Sequence, residues 1–380
     1  MLQAGTLSTF RGVFLAVFVV TAGCSEPPAS KADATVGDAT VGDATSETGD
    51  TTSETGDTVA PDAAIADVLP PDVAADAGVS DFPTDAGSGD ASHDSALPQD
   101  LGDAAMPAMP ASWRDVPATT YQMGSTNQEP CHAAMGEGIH VVTLMNDFEI
   151  QSTEVTQTQF EGLMGYNPSY YSVNGNGSVC GKNCPVESLN WHEAVAYCNA
   201  LSTQKKLSTC YECTGSTSAV SCEVKQVFSG SKIYQCKGYR LPTEAEWEHA
   251  YRAGTATAYY CGVNQTSMCT ECSYIQGTLD TIAWYCGNSF DKTQPVARKK
   301  ANGLGCYDLG GNVGEWCHDW HGSYPGSAVT DPVGPSSGLF RVVRGGSFAS
   351  EPRHARAAAR SRSLPSARTE EIGFRCVRSK

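Results

Sequence analysis

The sequence predicts an α+β domain over residues 111–380, with little regular secondary structure, long loops and many disulfides. Three observations support this fold class. Helical patterns are short and begin at polar capping residues. Strand-like runs of four or five residues are separated by glycine-rich loops. Fifteen of the sixteen cysteines, all but Cys24, fall in this part of the chain, which is typical of a disulfide-rich domain outside the cytosol.

The first 24 residues predict a lipoprotein signal peptide. Arg11 precedes an apolar run over residues 13–20, which is too short to cross a membrane comfortably. Residues 21–24 resemble a bacterial lipobox, although Thr21 stands where leucine is usual. On that interpretation Cys24 is lipidated and becomes the mature N-terminus. The alternative is an ordinary signal peptide cleaved near the same position.

This leader predicts where the protein acts. Ser25 follows the lipidated position and, by the same resemblance, favours sorting to the outer membrane. We therefore expect an exported lipoprotein that is anchored to the outer membrane through Cys24. Whether it faces the periplasm or the cell surface stays open.

Residues 25–110 predict a disordered linker rich in alanine, aspartate, threonine and proline. Such a composition cannot bury enough apolar surface to offset the entropy of ordering the chain. The segment holds 18 acidic residues and one lysine, a net charge of −17, and the entire chain is also −17. The acidity therefore belongs to the linker, and no basic patch predicts nucleic-acid binding.

Three short helices are predicted from their first residues. In each, a polar cap residue is followed three positions later by Gln or Glu, the spacing of a capping box. The pairs are Thr156 with Gln159, Asn190 with Glu193, and Thr243 with Glu246. The runs His140–Leu144 and Arg341–Arg344 predict strands.

The cysteine spacing predicts disulfides. The block from Cys210 to Cys236, with Cys213 and Cys222 inside it, has the spacing of a loop held by two bridges. Because the number of cysteines after the leader is odd, at least one thiol should stay unpaired. The candidate is Cys198, which lies on the apolar face of a predicted helix as a small buried hydrophobe would.

A zinc site is the weaker alternative for two of the cysteine pairs. Cys210 with Cys213 and Cys269 with Cys272 form two CxxC units, which four-thiolate zinc sites also use. The two units are too far apart in the chain for a zinc ribbon, and the compartment is oxidising, so disulfides are favoured.

Four strings resemble the formylglycine-generating enzyme family, whose members are also called sulfatase-modifying factor proteins. They are RLPTEAEWEHAYRAG (240–254), NGLGCYDLGGNVGEWCHDW (302–320), RGGSF (344–348) and GFRC (373–376). Earlier strings in the same order, among them EVT at 154–156, extend the resemblance over residues 113–380. The resemblance implies a formylglycine-generating-enzyme-type, C-type-lectin-like fold for residues 111–380. In that family the position of Cys376 forms a disulfide.

Arginines recur in these strings. We expect Arg240, Arg344 and Arg375 to pair with buried carboxylates or carbonyls, because guanidinium groups bind such oxygens in a forked geometry.

The resemblance also implies a calcium site at residues 308–315. Family members bind a structural calcium ion at this place through loop carbonyls and two side chains. Carried over, Asp308 and Glu315 provide side-chain oxygens, and Leu309, Gly311 and Val313 provide carbonyl oxygens. An all-oxygen set on a glycine-rich loop suits calcium. The alternative is a glycine-rich turn whose carboxylates cap backbone amides.

The catalytic residues of the family are the weakest part of the match. Family enzymes oxidise a cysteine in a CxPxR sequence to formylglycine with oxygen, using two cysteines after the GGS string that bind copper(I). Here Ser350 stands at the first position and Ala355 lies near the second. A serine hydroxyl is a harder ligand than a thiolate, so we do not expect copper to bind. Ser347 matches an active-site serine of the family, and with Ser350 it marks a degenerate active-site stretch.

Together these features favour a monomeric, lipid-tethered, calcium-braced scaffold that binds a peptide or glycan beside the GGSF string without catalysing oxidation. One alternative is an active formylglycine-generating or related oxidase that uses another residue set. Of the histidines, His318 and His321 are close enough to share a metal, but no third ligand stands beside them, so they are interpreted as loop polar groups. Another alternative is a purely structural envelope protein.

Overall fold

The computed structural model describes residues 112–133, 136–173, 180–262, 269–272 and 277–380, which fall within one compact unit. The predicted signal peptide, Cys24 and the predicted linker lie outside the described residues. Across the described part, no helix combines the length and apolarity needed to cross a membrane.

The described elements are short strands and helices, which confirms the predicted α+β class with little regular structure. The strands are β1 (Trp113–Val116), β2 (Thr119–Met123), β3 (His140–Leu144), β4 (Phe148–Gln151), β5 (Tyr211–Thr214), β6 (Ser221–Val224), β7 (Tyr239–Arg240), β8 (Gly314–Trp320), β9 (Val329–Thr330), β10 (Arg341–Arg344), β11 (Arg360–Ser363), β12 (Ile372–Gly373) and β13 (Val377–Ser379). The helices are α1 (Gln157–Met164), α2 (Trp191–Gln204), α3 (Glu244–Arg252) and α4 (Gly277–Asp280). Both strands predicted from sequence, β3 and β10, are present with the predicted bounds.

The strands form four sheets. The first sheet has the order β1-β4-β13-β7 and the second has the order β11-β10-β8-β12. A third sheet joins β2, β3 and β9, and β5 and β6 form a separate hairpin. In the second sheet β12 runs parallel to β8, with Ile372 opposite Gly314. This pairing brings the segment before β12 beside the start of β8.

All three predicted capping boxes are present. The side chains of Thr156, Asn190 and Thr243 each accept a hydrogen bond from the backbone N–H three residues later. The Gln or Glu side chain at that later position accepts a hydrogen bond from the backbone N–H of the cap residue. These exchanges satisfy amide groups that a helix start would otherwise leave without partners. Because the helices are short, the caps define where each of them begins.

Tryptophan side chains join the helices to the second sheet. Trp191 on α2 and Trp247 on α3 are fully buried. The Trp191 Nε1 donates to the Cys317 carbonyl at 2.9 Å, and the Trp247 Nε1 donates to Glu315 Oε2 at 2.9 Å. A buried indole N–H needs such a partner. The two bonds fix α2 and α3 against β8.

Five disulfides cross-link the described residues. They are Cys131–Cys269, Cys180–Cys184, Cys210–Cys236, Cys213–Cys222 and Cys272–Cys286. The predicted pair of bridges between residues 210 and 236 is confirmed. The zinc alternative is wrong, because every cysteine of the two CxxC units is held in a disulfide.

Cys198 lies on α2, is buried and forms no disulfide in the structure, as predicted. Its sulfur lies 3.1 Å from the sulfur of Cys376. The thiol that the sequence predicts to be unpaired therefore lies directly beside the thiol of a second cysteine.

Candidate functional site

The turn after β10 carries the two serines that were singled out in the sequence. Arg344, the last residue of β10, is fully buried and donates to the Ala357 carbonyl at 2.9 Å and to the Glu248 carboxylate. Gly345 and Gly346 follow with φ of 97° and 70°. A Cβ on Gly345 would lie 2.7 Å from the Leu309 carbonyl oxygen. Glycine is therefore required for this turn, which delivers Ser347 beside the second sheet.

A cavity of about 300 Å³ opens at this turn. Its floor is the second sheet, and its walls are the loops after β10 and before β12. The described lining residues are Gly314, Val343, Gly345, Gly346, Ser347, Ser350, His354, Ala359, Arg360, Ser361, Arg362, Thr369, Glu371 and Ile372. Ser347 and Ser350 are thus brought together in one cavity. Ala355, buried in a short 3₁₀ turn, is not among the described lining residues.

A chain of hydrogen bonds links the two serines to a carboxylate. The Ser347 hydroxyl donates to Glu371 Oε2 at 2.5 Å. The oxygens of Ser347 and Ser350 lie 3.0 Å apart, and the Ser347 N–H donates to Ser350 Oγ at 2.9 Å. Since the Ser347 proton goes to Glu371, the Ser350 hydroxyl donates to Ser347 Oγ. Sequence reasoning missed Glu371, which belongs to none of the strings used above.

Two of the three basic side chains of the cavity, Arg360 and His354, carry little free positive charge, whereas Arg362 is exposed and stacks on the Phe340 ring. Arg360 donates to both oxygens of Glu244, at 2.6 and 2.8 Å, and to the carbonyls of Gly136 and Gly322. Burial and the charge of Arg353 lower the pKa of His354, which favours the neutral imidazole. Glu371 is the carboxylate among the described lining residues.

The donors in this cavity do not fit copper(I). No cysteine is among the described residues that line it. The available ligands are hydroxyl oxygens, one carboxylate and one imidazole, whereas copper(I) prefers soft thiolates. The loss of copper binding through Ser350 stays a prediction from the sequence.

The predicted calcium loop precedes β8. Asp308 is buried with φ of 56°, and its Oδ2 accepts from the Ala297 N–H at 2.6 Å. Its Oδ1 is buried without a hydrogen-bond partner. Gly311 has φ of 82° and lies against Trp284, where a Cβ would meet the Trp284 carbonyl oxygen. Leu309 and Val313, the other predicted carbonyl ligands, are buried on the same loop.

Glu315 is committed to other partners. Both of its oxygens accept from the Arg375 guanidinium, at 2.8 Å each, and Oε2 also accepts from Trp247. The predictions for Arg375, and likewise for Arg240 with Glu246 and for Arg344, are confirmed. Among the described residues Glu315 accepts from side-chain N–H groups and caps no backbone amide, so the capping alternative does not describe it. Its role as a calcium ligand stays a prediction.

A second buried carboxylate lies near Asp308 and was missed in the sequence. Glu154, in the EVT string, is fully buried, and neither of its carboxylate oxygens has a hydrogen-bond partner. Burial and the nearby charges of Asp308 and Glu315 raise the pKa of Glu154 well above its usual range, while Arg375 opposes them. Burial likewise raises the pKa of Asp308 to about 6. Buried carboxylate oxygens without donors are the observation expected where a hard cation belongs.

Side chains alone do not define a metal centre here. Within the described ranges, no three His, Cys, Asp or Glu side chains converge as a metal-binding group. Near this loop the carboxylates with unsatisfied buried oxygens are Asp308 and Glu154, so any calcium ion would need loop carbonyls as well.

The interpretation of His318 and His321 as loop polar groups is wrong for His318. His318 lies within β8 and is buried, and its Nδ1 lies 3.3 Å from the Tyr211 hydroxyl. Burial and the charge of Arg341 lower its pKa well below the usual range. It is a core residue.

The fold and the serine-lined cavity define a domain of the formylglycine-generating enzyme type. A family model described as a sulfatase-modifying factor enzyme 1-like domain matches residues 92–380, and the chain belongs to this family. The family model matches from residue 92 onwards, whereas the sequence analysis predicts that the domain starts at residue 111.

Two curated relatives of this chain have names that indicate different functions. The chain is 32% identical over 250 residues to chaperone protein LppX of Paenibacillus barcinonensis, which covers 53% of this chain and 81% of that protein. It is 38% identical over 147 residues to the formylglycine-generating enzyme of Streptomyces coelicolor, covering 37% of this chain and 46% of the enzyme. The chain thus spans about half the length of that enzyme.

Solved structures show the same fold. Treponema denticola variable protein 1 is similar with a TM-score of 0.58 and 31% identity, over 70% of this chain and 95% of that one. PvdO from Pseudomonas aeruginosa is similar with a TM-score of 0.54 and 22% identity, over 70% and 94% of the two chains. The fold-class prediction made from the sequence is therefore confirmed.

Proposed function

We propose that this protein is an exported, lipid-anchored scaffold that binds a polypeptide in the cavity beside Ser347 and does not form formylglycine. The observation that carries the proposal is the donor set of the cavity, in which Ser350 and Ser347 provide hydroxyls and no cysteine is among the described lining residues. A fold can host different functions, because function resides in the site rather than in the fold.

The relatives favour a polypeptide over a glycan as the ligand. One relative, which the chain covers over 81% of its length, carries the name of a chaperone. The formylglycine-generating enzymes that the chain resembles are named for a reaction whose substrate residue, a cysteine, lies in a polypeptide. The cavity itself offers hydroxyls, a carboxylate and imidazole, which hydrogen-bond to backbone as well as to side chains.

Calcium is the proposed cofactor. Asp308 and Glu154 would hold it together with the carbonyls of Leu309, Gly311 and Val313, and the three unsatisfied carboxylate oxygens support this assignment. The ion would neutralise two carboxylates that otherwise stay buried without partners. Its role would be to brace the loop before β8, so we assign it no chemical step.

The location of the protein is likewise proposed from the sequence. Lipidation at Cys24 would anchor it to the outer membrane, facing the periplasm or the cell surface, with residues 25–110 as a spacer. The five disulfides suit an oxidising compartment. The proposed state in solution is a monomer, without nucleic-acid partners.

One assay tests the catalytic half of the proposal. The full chain, copper(I), calcium, a reductant and a CxPxR peptide are incubated in air, and the peptide is analysed by mass spectrometry. We expect an unchanged cysteine. Conversion of that cysteine to the aldehyde would overturn the proposal and establish an oxidase with another residue set.

A second assay tests binding. The full chain is applied to an array of cysteine-free decapeptides and to a glycan array. We expect saturable binding to peptides that is lost in Ser361→Trp, which fills the cavity from β11. Ser366→Trp, at an exposed position that is not among the lining residues, is the matched control and should bind normally. Binding to glycans alone, or to neither array, would contradict the polypeptide proposal.

A further inference from the structure

The β5–β6 hairpin carries a disulfide whose two cysteines are directly opposite each other. Cys213 on β5 pairs with Cys222 on β6, and the hairpin joins none of the other described sheets. We propose that this disulfide exchanges with the thiol pair of a polypeptide that docks along the free edge of β5. The site shares no described lining residue with the cavity beside Ser347, so the inference is independent of the function proposed above.

The backbone of Cys213 faces the open edge of β5. Asn199 on α2 binds both backbone groups of Tyr211: its Nδ2 donates to the Tyr211 carbonyl at 2.9 Å, and its Oδ1 accepts from the Tyr211 N–H at 3.3 Å. In an antiparallel pair, residues two apart turn their N–H and C=O groups to the same edge. The N–H and C=O of Cys213 therefore point to this edge, and no hydrogen bond between described residues engages them.

Cys222 shows the matching alternation on the outer side of β6. Its N–H donates to His192 Nδ1 at 3.1 Å, so it is turned away from β5. The Cα atoms of Cys213 and Cys222 lie 4.0 Å apart, the short spacing of opposed residues that exchange no backbone hydrogen bonds. Both strands thus agree that Cys213 presents its backbone groups outwards, where a polypeptide can pair with them as an added strand.

An open cavity of about 680 Å³ lies at this edge, between α2, β5 and the segment after β6. Cys213 is half-buried and lines the cavity. Cys222 is 1% exposed and is not among the described lining residues. An incoming thiolate therefore reaches the Cys213 sulfur, and Cys222 is the leaving group.

Two groups of the cavity favour a thiolate at Cys213. Asn199 Nδ2 donates to the Cys213 sulfur at 3.4 Å. Lys225 forms no ion pair with a described residue, and one of its three N–H donors goes to the Thr209 hydroxyl at 2.5 Å. Cations and N–H donors near a sulfur stabilise its charged form. Glu212 also lines the cavity, but it is exposed and, as the neighbour in the strand, directs its side chain to the opposite face.

The exchange balances between the two partners. A substrate thiolate attacks the Cys213 sulfur, the Cys213–Cys222 bond breaks, and Cys222 leaves as a thiolate that takes up a proton from water. The second substrate thiol, once deprotonated, attacks the substrate sulfur of the mixed disulfide and releases Cys213. The substrate ends as a disulfide and the hairpin as two thiols, so one chain oxidises one thiol pair.

The outer bridge holds the hairpin when the inner bridge opens. Cys210–Cys236 spans 26 residues around the 9-residue span of the inner bridge, and both of its cysteines are fully buried. Four opposed residue pairs also hold β5 against β6. The inner disulfide can therefore open while the hairpin stays attached to the domain.

Cys272 is the rival target, because it is more exposed than Cys213. It directly follows the exposed acid Glu271, which repels a thiolate. No hydrogen bond from a described N–H group reaches its sulfur. Exposure alone thus favours Cys272, whereas the surroundings of the sulfur favour Cys213.

Two dithiol peptides probe the site. The oxidised full chain is mixed with an equimolar amount of reduced Ala-Thr-Val-Cys-Gly-Asn-Cys-Val-Ala amide, quenched with acid, alkylated with N-ethylmaleimide and mapped by mass spectrometry. We expect Cys213 and Cys222 to be alkylated before any other bridged cysteine, with the peptide recovered as its disulfide. A twin with a methylated backbone nitrogen at its first cysteine cannot donate to the Cys213 carbonyl. Its rate, normalised to its rate with oxidised glutathione, should be at least about threefold lower.

Two lysine variants test the cavity. Lys225→Gln removes the cation and should slow the reaction with the first peptide at least about threefold. Lys232→Gln, at an exposed position that is not among the described lining residues, is the matched control and should react as the native chain does.

Three results would overturn the inference. Alkylation first at Cys272 and Cys286, or at no bridged pair, would rule out exchange at this hairpin. Equal normalised rates for the two peptides would rule out docking along β5. An equal slowing in Lys225→Gln and Lys232→Gln would show that the overall charge of the chain, rather than this cavity, sets the rate.

Discussion

The sulfur atoms of Cys198 and Cys376 lie 3.1 Å apart in the core, although 178 residues separate them in the chain. The contact joins α2 to the residue before β13. Both side chains are fully buried. At this separation a small movement of either side chain would allow a disulfide to form.

We predict that these two cysteines are disulfide-bonded in the oxidised protein. Bridging so long a loop removes much entropy from the unfolded chain, and its loss typically costs about 2–5 kcal/mol. Non-reducing peptide mapping should show the Cys198 peptide linked to the Cys376 peptide, and Cys198→Ala should lower the melting temperature. Cys317→Ala, in the same core, is the control and should leave the mapped link in place. Alkylation of both thiols in the denatured, unreduced protein would contradict the prediction.

Removal of the Arg375 side chain should be severely destabilising. Both side chains of the Arg375–Glu315 ion pair are fully buried. Arg375→Ala therefore leaves the Glu315 carboxylate buried without its counter-charge, which typically lowers the free energy of unfolding by about 3–5 kcal/mol. Arg378→Ala is the matched control, because Arg378 and its partner Glu149 are 30% and 21% exposed and should contribute less than about 1 kcal/mol. Urea denaturation measures both. Equal losses in the two variants would show that burial does not determine how much the Arg375–Glu315 pair contributes to stability.

Calcium removal should destabilise the native protein. If an ion holds Asp308 and Glu154, EDTA should lower the melting temperature by about 5 °C or more, and added calcium should restore it. Glu154→Gln should lower the melting temperature and abolish the response to EDTA. Glu149→Gln, a surface change of the same charge, should keep the response. If instead Glu154→Gln is as stable as the native protein and EDTA has no effect, Glu154 is simply a buried protonated acid.

Stability should fall with rising pH through Asp319. Burial and the charge of Glu244 raise the pKa of Asp319 to about 8, against the opposing bond from the Glu244 N–H at 2.9 Å. Because the folded state holds this proton more tightly than the unfolded chain does, the stabilisation is complete below about pH 4 and is lost as the pH approaches 8. Asp319→Asn keeps an acceptor for the amide and cannot titrate.

The pH dependence of the free energy of unfolding checks this. Asp319→Asn should equal the native protein near pH 4 and exceed it by on the order of 5 kcal/mol at pH 8, because each pH unit between the unfolded and folded pKa values contributes about 1.4 kcal/mol. Parallel curves for the two proteins over this range would show that another group causes the loss.

Sequence reasoning succeeded where the determining interactions are local. The capping box at Thr243 and Glu246 is complete within four residues. The bridges at Cys210 and Cys213 close loops of 26 and 9 residues. In such cases spacing carries almost all the information, because few competing partners are within reach.

It failed where the environment of a residue comes from distant segments. Glu154 lies in a string that the sequence analysis used, but its role depends on Asp308 and Arg375, which the fold brings near it. Glu371 reaches Ser347 across 24 residues through the pairing of β12 with β8. No local pattern marks either carboxylate, since periodicity and spacing report only on neighbours in the chain.

The place of β13 in the first sheet has a consequence for truncated chains. This strand lies between β4 and β7, and Val377 is opposite Ile150 on one side and Arg240 on the other. A chain that ends before residue 377 therefore has unpaired edges on both β4 and β7, and those edges can pair with other chains. Loss of the last four residues should therefore cause aggregation, although none of them lies in the cavity beside Ser347.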